Sequence, residues 1–182
     1  ACQLNRIVVK KLIDNGVNAI TMSPMGLMTA HEHKLKTICL ESLEETLRLN
    51  LLPVVYGDVI LDTQVGCTIF SAEKVLGYIA LELKRKGYKI EKIIHCGQTN
   101  GVYDVHGKTI PLISHQNFSQ FEQTIGGSGG VDVTGGMIHK VKETLNLAKE
   151  GIPGLIIDGI EKCSLSKAIS GEKVEGTEVR WE

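Results

Sequence analysis

The residues best suited to chemistry in this chain are glycines. Six of them fall between Gly126 and Gly136, in Gly126-Gly-Ser-Gly-Gly-Val-Asp-Val-Thr-Gly-Gly-Met-Ile-His-Lys140. Backbone without a Cβ lets N–H groups come close to an anion, and a helix N-terminus adds a favourable dipole. Ile138, Val141, Leu145 and Ala148 are spaced for a helix that starts here and stops at Gly151. Lys140 then stands about one turn in, where its ammonium reaches an anion held at that end. Asp132 and Thr134 orient the loop or cap the helix. Two readings fit: a phosphate cradle built with Gly135, Gly136 and Lys140, or a surface loop with a Thr cap. The run is not a Walker A loop, because Gly-Lys-Ser/Thr is absent, nor a dinucleotide fingerprint, because no strand leads straight into it.

Gly101-Val-Tyr-Asp-Val-His-Gly-Lys108 follows the apolar stretch ending Ile93-Ile-His-Cys96. Ligands of open α/β sheets bind beyond the carboxyl ends of strands. Tyr103 offers a flat ring to a base and Lys108 a charge; the alternative is a plain turn. Tyr56-Gly57-Asp58 and Ser71-Ala72-Glu73 each adjoin a strand end, where small residues admit a ligand, although a turn and a Ser71 helix cap account for them equally. His31-Glu32-His33 has the look of a metal pair, but the region reads as loop and zinc needs further ligands. His95 and Cys96 read as packing residues at the end of a buried strand.

These residues need elements to hold them. Leu4, Ile7, Val8 and Leu12 predict a first helix stopped at Asn15-Gly16, and Val17–Met22 a short strand. Ser23–Lys36 reads as loop, then Leu40, Leu43 and Leu47 mark a helix. Leu51–Tyr56 and Ile90–Cys96 are continuous apolar runs of the kind buried on both faces of a parallel sheet. Val59–Asp62 and Cys67–Phe70 read as strands around a turn, followed by a helix on Val75, Leu76, Ile79, Ala80 and Leu83. Gly101–Ile110 reads as a hairpin turning at Gly107, and Phe118–Ile125 as a helix. Gly154–Asp158 is a strand, Ser164–Ile169 a helix stopped by Gly171, and Glu178–Trp181 a last edge strand. Alternating helix and strand predicts an α/β fold with a largely parallel sheet between helix layers.

Composition narrows the function. The 182 residues carry 20 Lys+Arg against 21 Asp+Glu, so bulk charge excludes a strongly basic nucleic-acid binder. Apolar residues at 42% and charged residues at 23% are globular values. No apolar run approaches a membrane span, and the first residues lack the apolar block of a signal peptide. Five cysteines without a pairing pattern fit reduced thiols in a cytoplasmic protein.

Five blocks in order carry a resemblance: Pro53–Asp62, Gly66–Ser71, Gly101–Asp104, Asp132–Lys140 and Gly171–Thr177. Together they resemble the isopentenyl phosphate kinases of the amino acid kinase superfamily, along nearly the whole sequence. Glutamate 5-kinase and fosfomycin kinase share parts of the Asp-Val-Thr-Gly-Gly-Met-x-x-Lys block, and uridylate kinase the Gly-Val-Tyr-Asp block. The resemblance implies one three-layer αβα domain over residues 1–182. Residues 1–72 would be the remainder of an acceptor-binding half and 73–182 an ATP-binding half. It implies transfer of the ATP γ-phosphoryl group to isopentenyl phosphate, with Mg2+, on a mevalonate-type isoprenoid route. By position, Gln98 and Tyr103, Asp104, Val105, His106, Gly107 and Lys108 would line the nucleotide site. Gly135, Gly136 and Lys140 would meet its phosphates, with Lys140 catalytic. Gly57, Asp58 and Ala72 would lie beside the acceptor, and no metal ligand is assigned. The family also tends to homodimers.

The sequence departs from the family pattern in three places. The family's first strand, its Gly-Gly-Ser turn and a glycine-rich loop with a functional His are not in it, so by the resemblance it is N-terminally truncated. Gln98 and Asn100 stand where the family usually has acids. Ala72-Glu73 replaces Gly-Asp, adding a methyl at a point of close approach. Two alternatives therefore stand beside the first reading. One is a kinase of the same fold acting on another small phosphate or acid; the other is a catalytically weak, nucleotide-binding regulatory relative.

Overall fold

Leu4, Ile7, Val8 and Leu12 predict a helix at the start, and the chain is helical over Cys2–Asp14 (α1). The computed structural model describes the backbone of residues 1–126 and 136–182, and the side chains of these except 123–126. The chain divides into two compact units, Ala1–Lys89 and Ile90–Glu182.

In the first unit α1 is followed by β1 (Ala19–Thr21), a 3-10 turn at Pro24–Gly26, β2 (Met28–His31), β3 (Lys34–Ile38) and α2 (Glu41–Arg48). Then come β4 (Leu52–Val54), β5 (Asp58–Asp62), β6 (Gly66–Phe70) and α3 (Ala72–Arg85). The apolar stripe of α1 does not face the core: Leu4, Ile7 and Val8 are exposed, and Asn5 is the buried residue. Asn5 Nδ2 donates to the Val54 carbonyl at 3.3 Å and Asn5 Oδ1 accepts from Thr21 Oγ1 at 2.7 Å, tying α1 to both short strands. Those strands, β1 and β4, pair in parallel. The buried strand expected over Leu51–Tyr56 is thus three residues long, with Leu52 exposed, because β1 is its only described pairing partner.

The region expected to be loop is instead a hairpin. β2 and β3 pair antiparallel, and Glu32 and His33 turn between them with φ of 49° and 63°. Two successive left-handed residues match the twist of the strands they join. Asp62, buried at the end of β5, holds that turn. Its carboxylate accepts from the N–H of Glu32 at 3.2 Å and of His33 at 2.8 Å, and from Gln64 and Val65 in the next turn. The strands order as β3-β2-β5-β6, with β5 and β6 the expected hairpin. Met28, Leu40, Leu43, Ile60, Phe70 and Val75 are fully buried here.

The second unit holds β7 (Ile93–Gly97), β8 (Leu112–Ser114), α4 (Phe118–Gly126), α5 (Gly136–Lys149), β9 (Gly154–Asp158), α6 (Ser164–Ser170) and β10 (Thr177–Arg180). Its sheet runs β7-β9-β10-β8. The expected last edge strand, β10, is internal: it pairs antiparallel with β9 and parallel with β8. Its partner Leu112–Ser114 is too short to show as a strand in the sequence. Among the described residues β7 is an edge strand, and its side chains from Ile94 to Cys96 are not fully buried as the apolar run suggested. Alternation along β9 builds two helix layers. Ile156 packs with Val141 and Leu145 of α5, while Leu155 and Ile157 pack with Ala168 of α6. Gly171 ends α6 with φ of 80°, as its position predicts. Four of the seven strand pairings among the described residues are parallel, giving the mixed α/β, parallel-rich fold that the alternation implies. Among the described residues no helix is long and apolar enough to cross a membrane.

Candidate functional site

In the second unit the candidate residues gather at the carboxyl ends of β7 and β9, which pair in parallel down to Gly97 and Asp158. The Gly159 N–H donates to the Gly97 carbonyl at 3.0 Å, and a Cβ on Gly159 would stand 2.7 Å from that of Cys96. Only glycine lets the two strand ends close in this way.

The chain leaves β7 in a tight loop. Gly101 N–H donates to Thr99 O at 2.7 Å, Thr99 Oγ1 to Gly101 O at 2.8 Å, and Asn100 N–H to Tyr103 Oη at 3.3 Å. Gly101 has φ of 99° and lies against the Thr177 backbone, where a Cβ would be 2.6 Å from the amide nitrogen. Thr177, fully buried in β10, fastens both ends of the next segment. Its Oγ1 accepts from Val102 N–H at 2.8 Å and donates to Ile110 O at 2.7 Å. The expected hairpin is present between these anchors. Tyr103 bridges to Thr109, and Gly107 turns with φ of 75°. The Asp104 carboxylate accepts from the N–H of His106 at 2.8 Å and of Lys108 at 2.9 Å. The Lys108 amide is the chief reason its carboxyl stays below the ordinary carboxylate range, against the upward pull of burial. Asp104 therefore shapes the turn. Tyr103 and Asp104 are half-buried, and Val105, His106, Gly107 and Lys108 are exposed, as is Gln98 beside the strand end.

Gly136 opens α5, and Lys140 is half-buried one turn in. Thr144 seats this stretch: its Oγ1 donates to the Lys140 carbonyl at 2.7 Å and bonds His95 Nε2 at 2.9 Å. His95 thus works as an anchor for α5 rather than as apolar packing, and Cys96 is exposed. Its surroundings nonetheless raise the Cys96 thiol from its ordinary value, and the nearby Lys140 ammonium opposes that shift. Thr144 thereby ties the turn of α5 that carries Lys140 to β7. Gly135, with Asp132 and Thr134, lies outside the described residues.

In the first unit the structure brings Gly57 and Ala72 together. A Cβ on Gly57 would be 2.6 Å from Ala72 N and 2.9 Å from Phe70 O. Ser71 caps α3 by accepting from Lys74 N–H at 3.3 Å, as its position predicts. Asp58 Oδ1 accepts its neighbour's N–H at 2.9 Å, and Oδ2 lies 3.6 Å from the Cys2 thiol, which also meets Tyr56 Oη at 3.5 Å. That thiol is the main reason the Tyr56 phenol is raised above its ordinary value, opposed by a bond to Ser23. His31 and His33 are engaged singly, with Thr63 and Thr68, each at 3.0 Å. Among the described residues no three His, Cys, Asp or Glu side chains gather to hold a metal.

Sequence reasoning missed Thr177, Thr144 and Asp62, which position the site and its surroundings through long-range bonds. Thr177 closes one of the blocks that carry the resemblance, but nothing in the spacing reveals its partners.

A sequence model described as the Amino acid kinase family matches residues 1–158. The isopentenyl phosphate kinase of Methanothermobacter thermautotrophicus is 29% identical over 182 residues, covering 97% of this chain and 66% of that protein. The enzyme of the same name from Haloferax volcanii is 32% identical over 180 residues, covering 99% of this chain and 67% of its own length. The chain thus spans about two thirds of the length of these relatives. A solved isopentenyl phosphate kinase superposes with a TM-score of 0.77 at 24% identity, over 97% of this chain and 64% of that one, which establishes a shared fold.

Proposed function

The chain belongs to the amino acid kinase family, and from that premise we propose that it transfers the ATP γ-phosphoryl group to isopentenyl phosphate, giving isopentenyl diphosphate and ADP. The names of its relatives support the acceptor. One observation carries the chemistry: Thr144 ties the backbone of Lys140, one turn into α5, to His95 of β7. Phosphoryl transfer asks mainly for positioning and for charge at the transferred group. In this reading Lys140 supplies that charge, and Gly135 and Gly136 offer backbone N–H groups to the phosphates. Gln98 and the Tyr103–Lys108 hairpin line the nucleotide, while Gly57, Asp58 and Ala72 take the acceptor. Residues 1–72 serve the acceptor half and 73–182 the ATP half. Mg2+ would enter with the triphosphate, held by phosphate oxygens and water, and would neutralise charge there. The protein works in the cytoplasm on an isoprenoid route, as a homodimer.

Gln98 and Asn100, neutral where the resemblance leads one to expect acids, favour a second reading: a relative that binds nucleotide and turns over weakly. ADP release from ATP and Mg2+, with and without isopentenyl phosphate, separates the two. Acceptor-dependent release supports the kinase. Nucleotide binding without release supports the second reading, and neither binding nor release removes both.

A further inference from the structure

Thr144 is a hydroxyl in apolar company. It is fully buried, and its helix neighbours Val141 and Leu145 pack with Ile156 and Val179. Valine has the same shape and would suffice for packing, and a buried hydroxyl costs stability unless it is hydrogen-bonded. A Cβ on Gly154 of β9 would overlap the Thr144 methyl, so the bare glycine leaves the space which that methyl fills. The hydroxyl is then turned to the Lys140 carbonyl at 2.7 Å and to His95 Nε2 at 2.9 Å. Ile94 packs in the layer of α6, so the alternation of β7 puts the His95 ring on the side of α5.

Counting protons gives these two bonds a direction. A hydroxyl has one hydrogen, and a carbonyl can only accept. The Thr144 proton therefore goes to the Lys140 carbonyl, and its oxygen accepts from the ring. His95 Nε2 must carry a hydrogen, since a bare Nε2 would set two lone pairs against each other 2.9 Å apart. The bond to Lys140, four residues back, is one that any helical threonine can make. The bond from the ring is different, because it joins α5 to β7.

We propose that His95 is a positioning residue for Lys140: its Nε2–H, acting through the Thr144 hydroxyl, holds the first turn of α5 in place against β7. The assignment rests on the kinase reading, in which Lys140 supplies charge at the transferred group. That task is sensitive to a displacement of about 1 Å. Phenylalanine at position 95 fills the space of the ring without the bond. Glutamine can place an N–H near the position of Nε2.

The experiment has two parts, both on the whole chain. Nitrogen-15 NMR reads which ring nitrogen of His95 carries hydrogen. Nε2–H is expected, and a ring protonated at Nδ1 alone would overturn the assignment. ADP release from ATP, Mg2+ and isopentenyl phosphate then compares the wild type with His95→Phe, His95→Gln, Thr144→Val and the His95→Phe, Thr144→Val double variant. In His95→Phe and in Thr144→Val, kcat should fall about tenfold while KM for isopentenyl phosphate stays within about twofold. The double variant should be no slower than either single one, because the two bonds form one chain. His95→Gln should recover most of the lost rate. Losses that multiply in the double variant, or a His95→Gln as slow as His95→Phe, would overturn the assignment. So would a His95→Phe that melts lower but keeps the wild-type kcat per folded molecule, which is the mark of a merely structural histidine. A wild type with Nε2–H that binds ATP and releases no ADP would remove the kinase reading, and with it the task of Lys140 that His95 serves.

Discussion

Gly57→Ala is the sharpest structural perturbation of the region we propose to take the acceptor. The added methyl would stand 2.6 Å from Ala72 N, 2.9 Å from Phe70 O and 2.9 Å from Ser71 C, all of them backbone atoms. No flexible side chain can swing aside, so the loop before β5 and the start of α3 must part by about 0.8 Å to reach ordinary contact. Overpacking of this kind costs about 1–3 kcal/mol, which lowers Tm by roughly 2–4 °C per kcal/mol in a protein of this size. The same shift separates the backbone of Gly57 from Ala72. A displacement near 1 Å costs up to about 100-fold in rate when it touches substrate positioning. We expect kcat/KM for isopentenyl phosphate to fall about 10–100-fold while the affinity for ATP stays within about twofold. Differential scanning fluorimetry gives the first effect, and ADP release with each substrate titrated in turn gives the second. Ala72→Gly removes a methyl but leaves its amide nitrogen in place, so it should not rescue Gly57→Ala. A variant that melts and turns over like the wild type, or a full rescue by Ala72→Gly, would refute the reasoning.

The geometry sets three further outcomes. Lys140→Ala should lower turnover by about 10- to 1000-fold with little change in melting, since in the proposed mechanism the lysine supplies charge rather than core packing; unchanged kinetics would take it out of the mechanism. Thr177→Val removes both the acceptor for Val102 N–H and the donor to Ile110 O, and a buried unmatched amide costs about 1–3 kcal/mol, so urea melts should shift to lower denaturant and ATP binding should weaken. Burial acts to raise the Asp62 carboxyl, but four backbone N–H groups overcome it and hold its pKa at about 2. A depressed carboxyl contributes stability that is full above the unfolded value near pH 4 and is lost as pH falls through the folded one. The urea midpoints of wild type and Asp62→Asn should therefore differ at pH 6 and draw together as pH falls from about 4 to about 2; a constant gap would show that Asp62 does not act through its charge.

The parts of the fold legible in the sequence are those closed by near neighbours. The β5–β6 hairpin, the capped helix α3, the turn at Gly107 and the α6 stop at Gly171 each carry their own signals within a few residues. The β2–β3 hairpin is not legible, because Glu32 and His33 are uncommon at left-handed positions and the carboxylate that holds them belongs to Asp62, 29 residues beyond His33. β10 is an internal strand only because the three residues of β8 pair with it. At the candidate site, residue types and order predicted the helix that carries Lys140 and the hairpin turning at Gly107, but not that Gly57 lies against the Ala72 amide. The spacing could not show that Thr177 and Thr144 fasten these parts, since their bonds span 75 residues to Val102 and 49 to His95.

If this chain carries the chemistry of phosphoryl transfer to isopentenyl phosphate, the label of γ-labelled ATP must end in an isoprenoid. The most direct test is a single-turnover reaction with γ-labelled ATP, Mg2+ and isopentenyl phosphate, with isolation of the isoprenoid product. Label should appear in isopentenyl diphosphate with the wild type, at a rate at least about tenfold lower with Lys140→Ala. Bound ATP with no label in that product, or label transferred equally well by Lys140→Ala, would contradict the proposed chemistry.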